Sequence, residues 1–287
     1  MSAIDKSKPV GVVGAGAMGR GIVQVFAQSG FDVLVHDANE AAIDSAIATI
    51  EKLLERSVSK ERITAVEKDA ALKRITPVNE LSAFKPVQLF VEAASERPDI
   101  KKSIFKGVDD LLADDAIRAS NTSSISITEL AAVTKNPTLF IGMHFFNPVP
   151  VMKLVEIVMG LETSDATYDK VHALAEAVGK TPLRANDHPG FVSNRILMPM
   201  INEAILCLQD GVATPEAIDG IMQLGMAHPM GPLRLADLIG LDVCYDILNV
   251  LHRDLGEDKY SPAPLLRKMV LAGRLGNKTK RGFYEYE

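Results

Sequence analysis

The chain of 287 residues has no tryptophan and only two cysteines, and aromatic side chains make up 5% of it. Two cysteines cannot supply a disulfide framework or a cysteine-rich metal site. Because Cys207 and Cys244 lie in apolar helical stretches, we expect both to be reduced core thiols. No run approaches the roughly 18 apolar residues that span a bilayer, and residues 1–6 have no apolar signal core. These absences predict a cytoplasmic protein that binds no metal and no membrane.

The net charge of −6 argues against a nucleic-acid partner, although it permits a local basic patch for an anionic ligand. An apolar fraction of 47% is ample for folded cores, and the length suits two domains at about 150 residues each. Residues 186–190 resemble a linker, and nearly everything beyond them has helical character without a strand pattern. We therefore predict a first domain of residues 1–187 and a second of residues 188–287.

The most informative motif is a Gly-x-Gly-x-x-Gly turn between a short apolar run and a helical segment. Gly14 permits the tight reversal, Gly16 lets the backbone approach a pyrophosphate, and Gly19 lets helix and strand pack closely. With Ala17 and Met18 they form a helix N-terminus, whose free N–H groups favour an anion. A tight turn without a ligand uses similar residues, so the glycines alone leave both interpretations open.

Asp37 ends a second apolar run, about 20 residues beyond the turn, where an acid that binds the ribose hydroxyls is expected. Residues 38–40 supply no Arg or Lys for a 2′-phosphate, so the sequence predicts NAD rather than NADP as the cofactor. The alternative role of Asp37 is to cap a helix that begins near Ala38, and the two roles do not exclude each other.

Helical periodicity and short apolar runs alternate along the first half of the chain, which is typical of βαβ units with a parallel sheet. The predicted strands lie at residues 10–13, 33–35, 88–93, 116–119 and 139–143, and residues 151–158 turn and continue the sheet. The charged, helical segment 56–73 predicts a helical insertion after the second strand. The fold class is therefore α/β, a Rossmann-type and mostly parallel sheet followed by an all-helical C-terminal domain.

The second half predicts a helical bundle. Residues 191–209 are expected to form one long helix, kinked near Pro199 and buried on every face over residues 196–208. Pro215 opens another helix, and residues 233–255 and 263–272 complete the bundle. Part of the buried surface is expected to be a subunit interface.

His144 directly follows a strand-like run, at the sheet edge where open parallel sheets bind ligands. Glu156 lies in the next apolar run, where a buried acid needs a partner. The two form a candidate general base with its orienting carboxylate. The alternative is a hydrogen-bonded structural histidine, with Glu156 facing solvent at a strand edge. The polar stretch 120–124 and Asn194 either bind a substrate oxygen or cap helices.

Several ordered motifs together resemble the 3-hydroxyacyl-CoA dehydrogenases, and the resemblance covers nearly the whole chain. They are Gly14-Ala15-Gly16-Ala17-Met18-Gly19, Glu92-Ala93-Ala94, residues 120–124, residues 144–153, Pro189-Gly190-Phe191-Val192-Ser193-Asn194-Arg195 and Pro229-Met230-Gly231-Pro232. The resemblance implies reversible, NAD-dependent oxidation of an (S)-3-hydroxyacyl-CoA, with the 3-hydroxybutyryl thioester as the expected substrate. It also implies a homodimer joined through the helical domains.

By this resemblance His144 matches the catalytic base and Glu156 its partner, while Ser123 and Asn194 match the groups at the substrate's reacting end. Beyond the glycine turn and Asp37, the implied cofactor contacts are Glu96, Lys101, Asn147 and Lys278. The alternative for Glu96 and Lys101 is an ordinary surface ion pair worth about 0–1 kcal/mol.

Some positions depart from the family pattern. Arg97 replaces the usual Asn after Glu96, and Lys280 replaces a usual Gly near the C-terminus. Arg56 and Lys60 match the lysines that hold the coenzyme A phosphates only loosely, and a solvated helix face explains them as well. Two rival functions stay open: oxidation of 3-hydroxyadipyl-CoA, and a non-catalytic nucleotide-binding relative.

Overall fold

The computed structural model describes residues 5–287, which divide into a first unit that ends at Asp187 and a second unit, His188–Glu287. Within residues 5–187 a sheet of eight strands has the order β3-β2-β1-β4-β5-β6-β7-β8. The strands are β1 Val10–Val13, β2 Val33–His36, β3 Ile75–Pro77, β4 Leu89–Glu92, β5 Ile117–Ser120, β6 Phe140–Phe145, β7 Leu154–Met159 and β8 Thr181–Asn186. In that range every strand pair is parallel except β6 with β7. The predicted α/β class with a mostly parallel sheet is confirmed.

Helices connect these strands in the way that parallel pairs require. They are α1 Ala17–Gln28, α2 Glu40–Ser59, α3 Ala65–Lys73, α4 Pro98–Asp109, α5 Ile127–Ala131 and α6 Asp165–Ala177. The predicted insertion after the second strand is the pair α2 and α3, and α3 begins with a reciprocal capping box between Thr64 and Glu67. The insertion is followed by β3, a three-residue edge strand that no sequence pattern predicted.

The register of the central strands collects polar residues at one edge of the sheet. Val13 of β1 pairs with Glu92 of β4, and Glu92 pairs with Ser120 of β5. Below this edge β1 and β4 are apolar and buried throughout. The carboxyl ends of the parallel strands therefore form a polar rim above an apolar core, which is where open α/β sheets bind ligands.

The last part of the sheet differs from the prediction. Residues 181–186, expected to lead into a linker, form the edge strand β8, parallel to β7. Its neighbour Asp187 does not lie in a loose linker, because its carboxylate accepts hydrogen bonds from the backbone N–H groups of Ile127 and Thr128. The end of the first unit is thus fixed to the start of α5.

Residues 188–287 contain five α-helices: α7 Ser193–Gln209, α8 Pro215–Met226, α9 Pro232–Ile239, α10 Leu241–Leu255 and α11 Pro264–Leu271. Their buried apolar side chains form a separate core. The segment predicted as residues 233–255 is two helices, divided at Gly240, whose φ of 106° ends α9. Among residues 5–287, no helix combines the length and apolar character that a membrane span requires.

Within the single chain α7 is not buried on every face, and burial of its remaining face in a subunit interface stays a prediction. Met198, Ile201 and Ile205 are buried, but Ile196 is 67% exposed. Pro199 lies inside the helix. One side of α7 therefore faces the helical core, and the other carries an apolar residue at the surface of the chain.

Candidate active site

The glycine turn has the geometry of a dinucleotide site. Gly14 has a φ of +101°, and a Cβ there would lie 2.5 Å from the carbonyl oxygen of Ala93. A Cβ at Gly19 would collide with the Gly14 carbonyl, whereas one at Gly16 would meet no described atom within 4 Å. In the described chain no side chain caps the N-terminus of α1 at Gly16. The first turn of α1 thus leaves its N–H groups beside open space, so the residues present fit a diphosphate.

Asp37 follows β2 and joins the glycine turn to the second strand. Its Oδ2 accepts a hydrogen bond from the Ala15 backbone N–H at 2.8 Å, and its Oδ1 accepts one from the Asn39 N–H at 2.9 Å. The cap of α2 is Asn39, whose side chain accepts from the Ala41 N–H. The alternative in which Asp37 itself caps this helix is therefore wrong, and the predicted ribose contact stays a prediction.

A buried ion pair lies at the carboxyl end of β4. The Lys101 ammonium donates to both carboxylate oxygens of Glu92, at 2.8 and 2.9 Å, and both side chains are completely buried. Glu92 also accepts from the Ala94 N–H and from the Ser120 hydroxyl. A buried charge that is paired and hydrogen-bonded in this way is fixed in position. The interpretation of Lys101 as part of an ordinary surface ion pair is wrong.

Glu96 links this pair to the polar stretch 120–124. One oxygen lies 3.4 Å from the Lys101 ammonium. The other accepts hydrogen bonds from the Thr122 hydroxyl at 2.6 Å and from the backbone N–H groups of Ser123 and Ser124 at 2.8 and 3.1 Å. Glu96 thereby orders the turn that carries Ser123, the predicted substrate contact.

Asn121 ties the same stretch to β6. Its side-chain carbonyl accepts a hydrogen bond from the Phe145 N–H at 2.9 Å, next to His144. These roles of Asn121 and Glu92 were not predicted from the sequence. The signal for Glu92 was present, since a carboxylate at the end of the apolar run 89–92 needs a partner.

His144 and Glu156 lie directly opposite each other on β6 and β7. The His144 Nδ1 is 2.7 Å from the Glu156 Oε2, and both side chains are buried. The alternative in which Glu156 faces solvent is wrong, because the residue is 4% exposed. A carboxylate at this distance favours the tautomer with the proton on Nδ1, which leaves a lone pair on Nε2 to accept a proton.

The other predicted contacts occupy exposed positions. Asn147 lies just beyond β6 and precedes Pro148 through a cis peptide bond. Arg56 and Lys60 are exposed at the C-terminal end of α2, and neither has an ion pair within the described residues. Lys278, in the second unit, lies 2.5 Å from an Asp242 carboxylate oxygen. Within residues 5–287, no three histidine, cysteine or carboxylate side chains gather as metal ligands.

Asn194 lies in the first turn of α7, in the second unit, and is 7% exposed. Two residues with positive φ, Gly190 at 74° and Phe191 at 49°, precede it. At Gly190 a Cβ would lie 2.7 Å from a Leu251 methyl group, so the tight backbone there requires glycine. The contact of Asn194 with substrate stays a prediction.

Both departures from the family pattern have a defined structure. Arg97 pairs with Asp99 at 2.6 Å, and Pro98 begins α4, so the loop after Glu96 leads directly into that helix. Lys280 has a φ of 62°, a left-handed conformation in which glycine is the easier residue. The C-terminal turn is therefore formed despite the lysine.

The fold and the glycine turn define a dinucleotide-dependent oxidoreductase, and comparison with known proteins gives its family. Residues 9–188 match the model of the 3-hydroxyacyl-CoA dehydrogenase NAD binding domain, and residues 190–286 match the C-terminal domain of the same family. The chain belongs to the 3-hydroxyacyl-CoA dehydrogenase family. It is an NAD-dependent enzyme, which confirms the predicted cofactor and rejects the non-catalytic alternative.

Similar proteins cover nearly the whole chain. A Deinococcus radiodurans protein named probable 3-hydroxybutyryl-CoA dehydrogenase is 56% identical, over 96% of this chain and 99% of its own length. The crystal structure of (S)-3-hydroxybutyryl-CoA dehydrogenase from Ralstonia eutropha is 50% identical with a TM-score of 0.95, over 98% of this chain and 99% of that one. An Escherichia coli 3-hydroxyadipyl-CoA dehydrogenase is 40% identical over 96% of this chain, but over only 58% of its own length.

Proposed function

We propose that this protein is an NAD-dependent (S)-3-hydroxybutyryl-CoA dehydrogenase that uses His144 as its general base. The observation that carries the proposal is the 2.7 Å bond between His144 and Glu156 at the carboxyl edge of the sheet. The substrate is supported by the names of relatives that are 50–56% identical over nearly the full chain.

The His144 imidazole is the group that moves the proton. Its Nε2 accepts the proton of the C3 hydroxyl as the C3–H bond breaks and the substrate becomes a ketone. The nicotinamide, when bound, supplies the hydride acceptor in this direction and the hydride donor in the reverse one. Glu156 holds Nδ1–H and stabilises the positive charge that develops on the ring. General acid–base catalysis of this kind contributes about 10²–10⁴-fold in rate.

The residues proposed to hold the cofactor surround the start of α1. Gly16, Ala17, Met18 and Gly19 bind the diphosphate with backbone N–H groups at a helix N-terminus. Gly14 shapes the turn, and its own N–H donates to the His36 carbonyl. The acid at the end of β2, Asp37, binds the adenosine ribose. Asn147 and, in the second unit, Lys278 are proposed to contact the rest of the dinucleotide.

Glu96 and Lys101 are proposed to have different roles in cofactor binding. Each donor of the Lys101 ammonium is directed at Glu92, at the Ala94 carbonyl or towards Glu96. We therefore propose that Lys101 supports the site by fixing Glu96, in place of a direct contact with the cofactor. Glu96, 40% exposed at its side chain, is the member of the pair that can reach a ligand.

Ser123 and Asn194 are proposed to donate to the oxygens at the reacting end of the substrate. The Ser123 backbone is held by Glu96, which supports a fixed direction for its hydroxyl. Arg56, in the last turn of α2, and Lys60, which follows that helix, are proposed to meet the phosphates of coenzyme A. Their exposed positions at the end of α2 support this role because a phosphate needs an accessible cation.

The substrate proposal is tested by comparing kcat/KM for acetoacetyl-CoA and 3-oxoadipyl-CoA with NADH as the reductant. A higher value for acetoacetyl-CoA supports the proposal. A higher value for the adipyl thioester would favour the second candidate, oxidation of 3-hydroxyadipyl-CoA, which the 40% identical Escherichia coli relative supports. No reaction with either thioester would contradict both.

We also propose a homodimer in the cytoplasm, formed through the helical unit. The support is an exposed apolar face on α8, which includes Ala217, Ile221 and Leu224. Exposed apolar patches of this kind mark interaction surfaces. The free thiols of Cys207 and Cys244 support a reducing compartment. Light scattering of the purified protein tests the dimer, and a monomeric mass would exclude it.

A further inference from the structure

Lys180 is a buried cation that the reaction described above does not use. It lies between Gly179, whose φ of 74° ends the turn after α6, and the first residue of β8. The residue is 8% exposed, and in the described part of the chain no carboxylate pairs with it. Burial without a counter-charge lowers the pKa of the Lys180 ammonium from its ordinary value.

The ammonium is held by the loop between the two proposed catalytic strands. Its Nζ donates to the backbone carbonyl of Val149 and, at 2.8 Å, to that of Met152. The N–H groups of Val151 and Met152 both donate to the Pro148 carbonyl, at 2.9 and 3.0 Å, so the loop forms a compact turn above Lys180. This turn directly follows Asn147.

The same turn packs on the dinucleotide helix. Val149 is buried, and a Cβ at Gly21 of α1 would lie 2.7 Å from the Val149 Cβ. Lys180 therefore holds the 148–152 turn on one side, and α1 contacts it on the other. The contact on α1 is Gly21, four residues after the first residue of that helix. A displacement of Val149 changes both the position of Asn147 and the contact with α1.

Packing alone does not explain a lysine at this buried position. Burying an ammonium without a partner charge is costly, and an apolar side chain of similar length fills the same space. Unlike an apolar side chain, the lysine donates directional hydrogen bonds to two backbone carbonyls, those of Val149 and Met152.

We propose that Lys180 is a positioning residue for cofactor binding, which holds the turn at residues 148–152 against α1 and so places Asn147 beside the nicotinamide half of NAD. The inference rests on the proposed role of Asn147. It does not depend on the identity of the acyl group.

The test compares Lys180→Met with the matched control Lys170→Met, an exposed lysine on the neighbouring helix α6. NADH affinity is measured by isothermal titration calorimetry, without any acyl thioester, alongside the melting temperature and hydrogen exchange of the Val151 and Met152 amides. Loss of the two hydrogen bonds is expected to weaken NADH binding about tenfold and to speed exchange at these amides. Removal of the buried charge offsets the lost bonds in global stability, so the melting temperature is expected to change by less than about 4 °C.

Lys180→Arg, which keeps the charge and several donors, is expected to restore part of the NADH affinity. If Lys180→Met does not fold, Lys180→Gln takes its place, with one amide donor and an intermediate affinity. An NADH affinity equal to that of Lys170→Met would overturn the proposal. So would a loss of affinity that appears only with a large fall in melting temperature and faster exchange across the whole sheet. Turnover of the wild-type protein with acetoacetyl-CoA tests the proposed function separately.

Discussion

His144 and Glu156 are 12 residues apart in the chain, yet they face each other across the antiparallel pair β6 and β7, with 2.7 Å between Nδ1 and Oε2. The parallel strands β1, β2, β4 and β5 place the cofactor turn and the polar rim at one edge. The reversal at β7 is what brings a carboxylate back to that edge beside the histidine. A parallel strand in its place would begin at the opposite edge of the sheet.

Substitution Glu156→Gln should slow turnover while the protein stays folded. The amide keeps the shape of the side chain but cannot stabilise a positive imidazole, so kcat with acetoacetyl-CoA and NADH is expected to fall by about 10²–10⁴-fold. Glu176→Gln, an exposed carboxylate beside His172 on α6, is the matched control and should keep its kcat. A Glu156→Gln variant with normal kcat would exclude the proposed pairing.

Breaking the buried ion pair at Lys101 should lower the free energy of unfolding far more than breaking a surface ion pair. Lys101→Met leaves the Glu92 carboxylate buried without its cation, and the free energy of unfolding is expected to fall by about 3–5 kcal/mol in urea titrations. Lys102→Met removes a partly exposed partner of Glu129 and should lower it by no more than about 1 kcal/mol.

The double variant Glu92→Gln with Lys101→Met has no uncompensated buried charge. Its loss of unfolding free energy is therefore expected to be smaller than that of Lys101→Met alone. If Lys101→Met and Lys102→Met lose the same small amount of unfolding free energy, Lys101 is not buried in solution.

Replacing Lys280 by glycine should stabilise the chain. The φ of 62° is unfavourable for a residue with a Cβ by about 1–2 kcal/mol, and the greater freedom of glycine in the unfolded chain offsets about half of that gain. An increase of about 0.5–1 kcal/mol in unfolding free energy is expected. Lys268→Gly, inside helix α11, is the opposite control and should destabilise by about 1 kcal/mol. A loss of stability in Lys280→Gly would indicate a different turn.

Alkaline pH should destabilise the helical unit partly through Cys244. Burial raises the pKa of this thiol from 9.0 to about 12 in the folded chain. Between these values the folded state binds more protons than the unfolded state, so the stabilising contribution is complete below pH 9 and is lost as the pH rises towards 12. Burial and hydrogen bonds to Asp219 and Asp237 also raise the pKa of Tyr284 and Tyr286, and these act in the same direction.

The measurement is the difference in unfolding free energy between pH 8 and pH 10.5 for the wild type and for Cys244→Ala. Both tyrosines remain in the variant, so the wild type should lose more stability over this interval. An identical loss in the two proteins would mean that Cys244 is accessible to hydroxide in the folded state.

The elements that follow from local sequence were predictable. Gly14, with its φ of +101°, and Gly19, where a Cβ would collide with the Gly14 carbonyl, specify a strand-to-helix turn, and Asp37 follows the next apolar run at the expected distance. The exposed residues of β8 and its Pro182 hid a strand, because an edge strand needs neither a continuous apolar run nor every N–H.

Features that depend on contacts between residues distant in the sequence could not be predicted. Nothing near Lys101 or Lys180 in the sequence shows that their ammonium groups are buried, since the partners come from β4 in one case and from the 148–152 turn in the other. The break at Gly240 had a local signal, a glycine between two apolar helical stretches, which was not used.

The most direct test of the central claim is turnover of His144→Gln with acetoacetyl-CoA and NADH, measured beside its NADH affinity and a control, His172→Gln on the surface of α6. The account predicts that kcat of His144→Gln falls by about 10²–10⁴-fold while NADH still binds as in the wild type. Turnover equal to that of the control, with a folded protein and normal NADH binding, would contradict it.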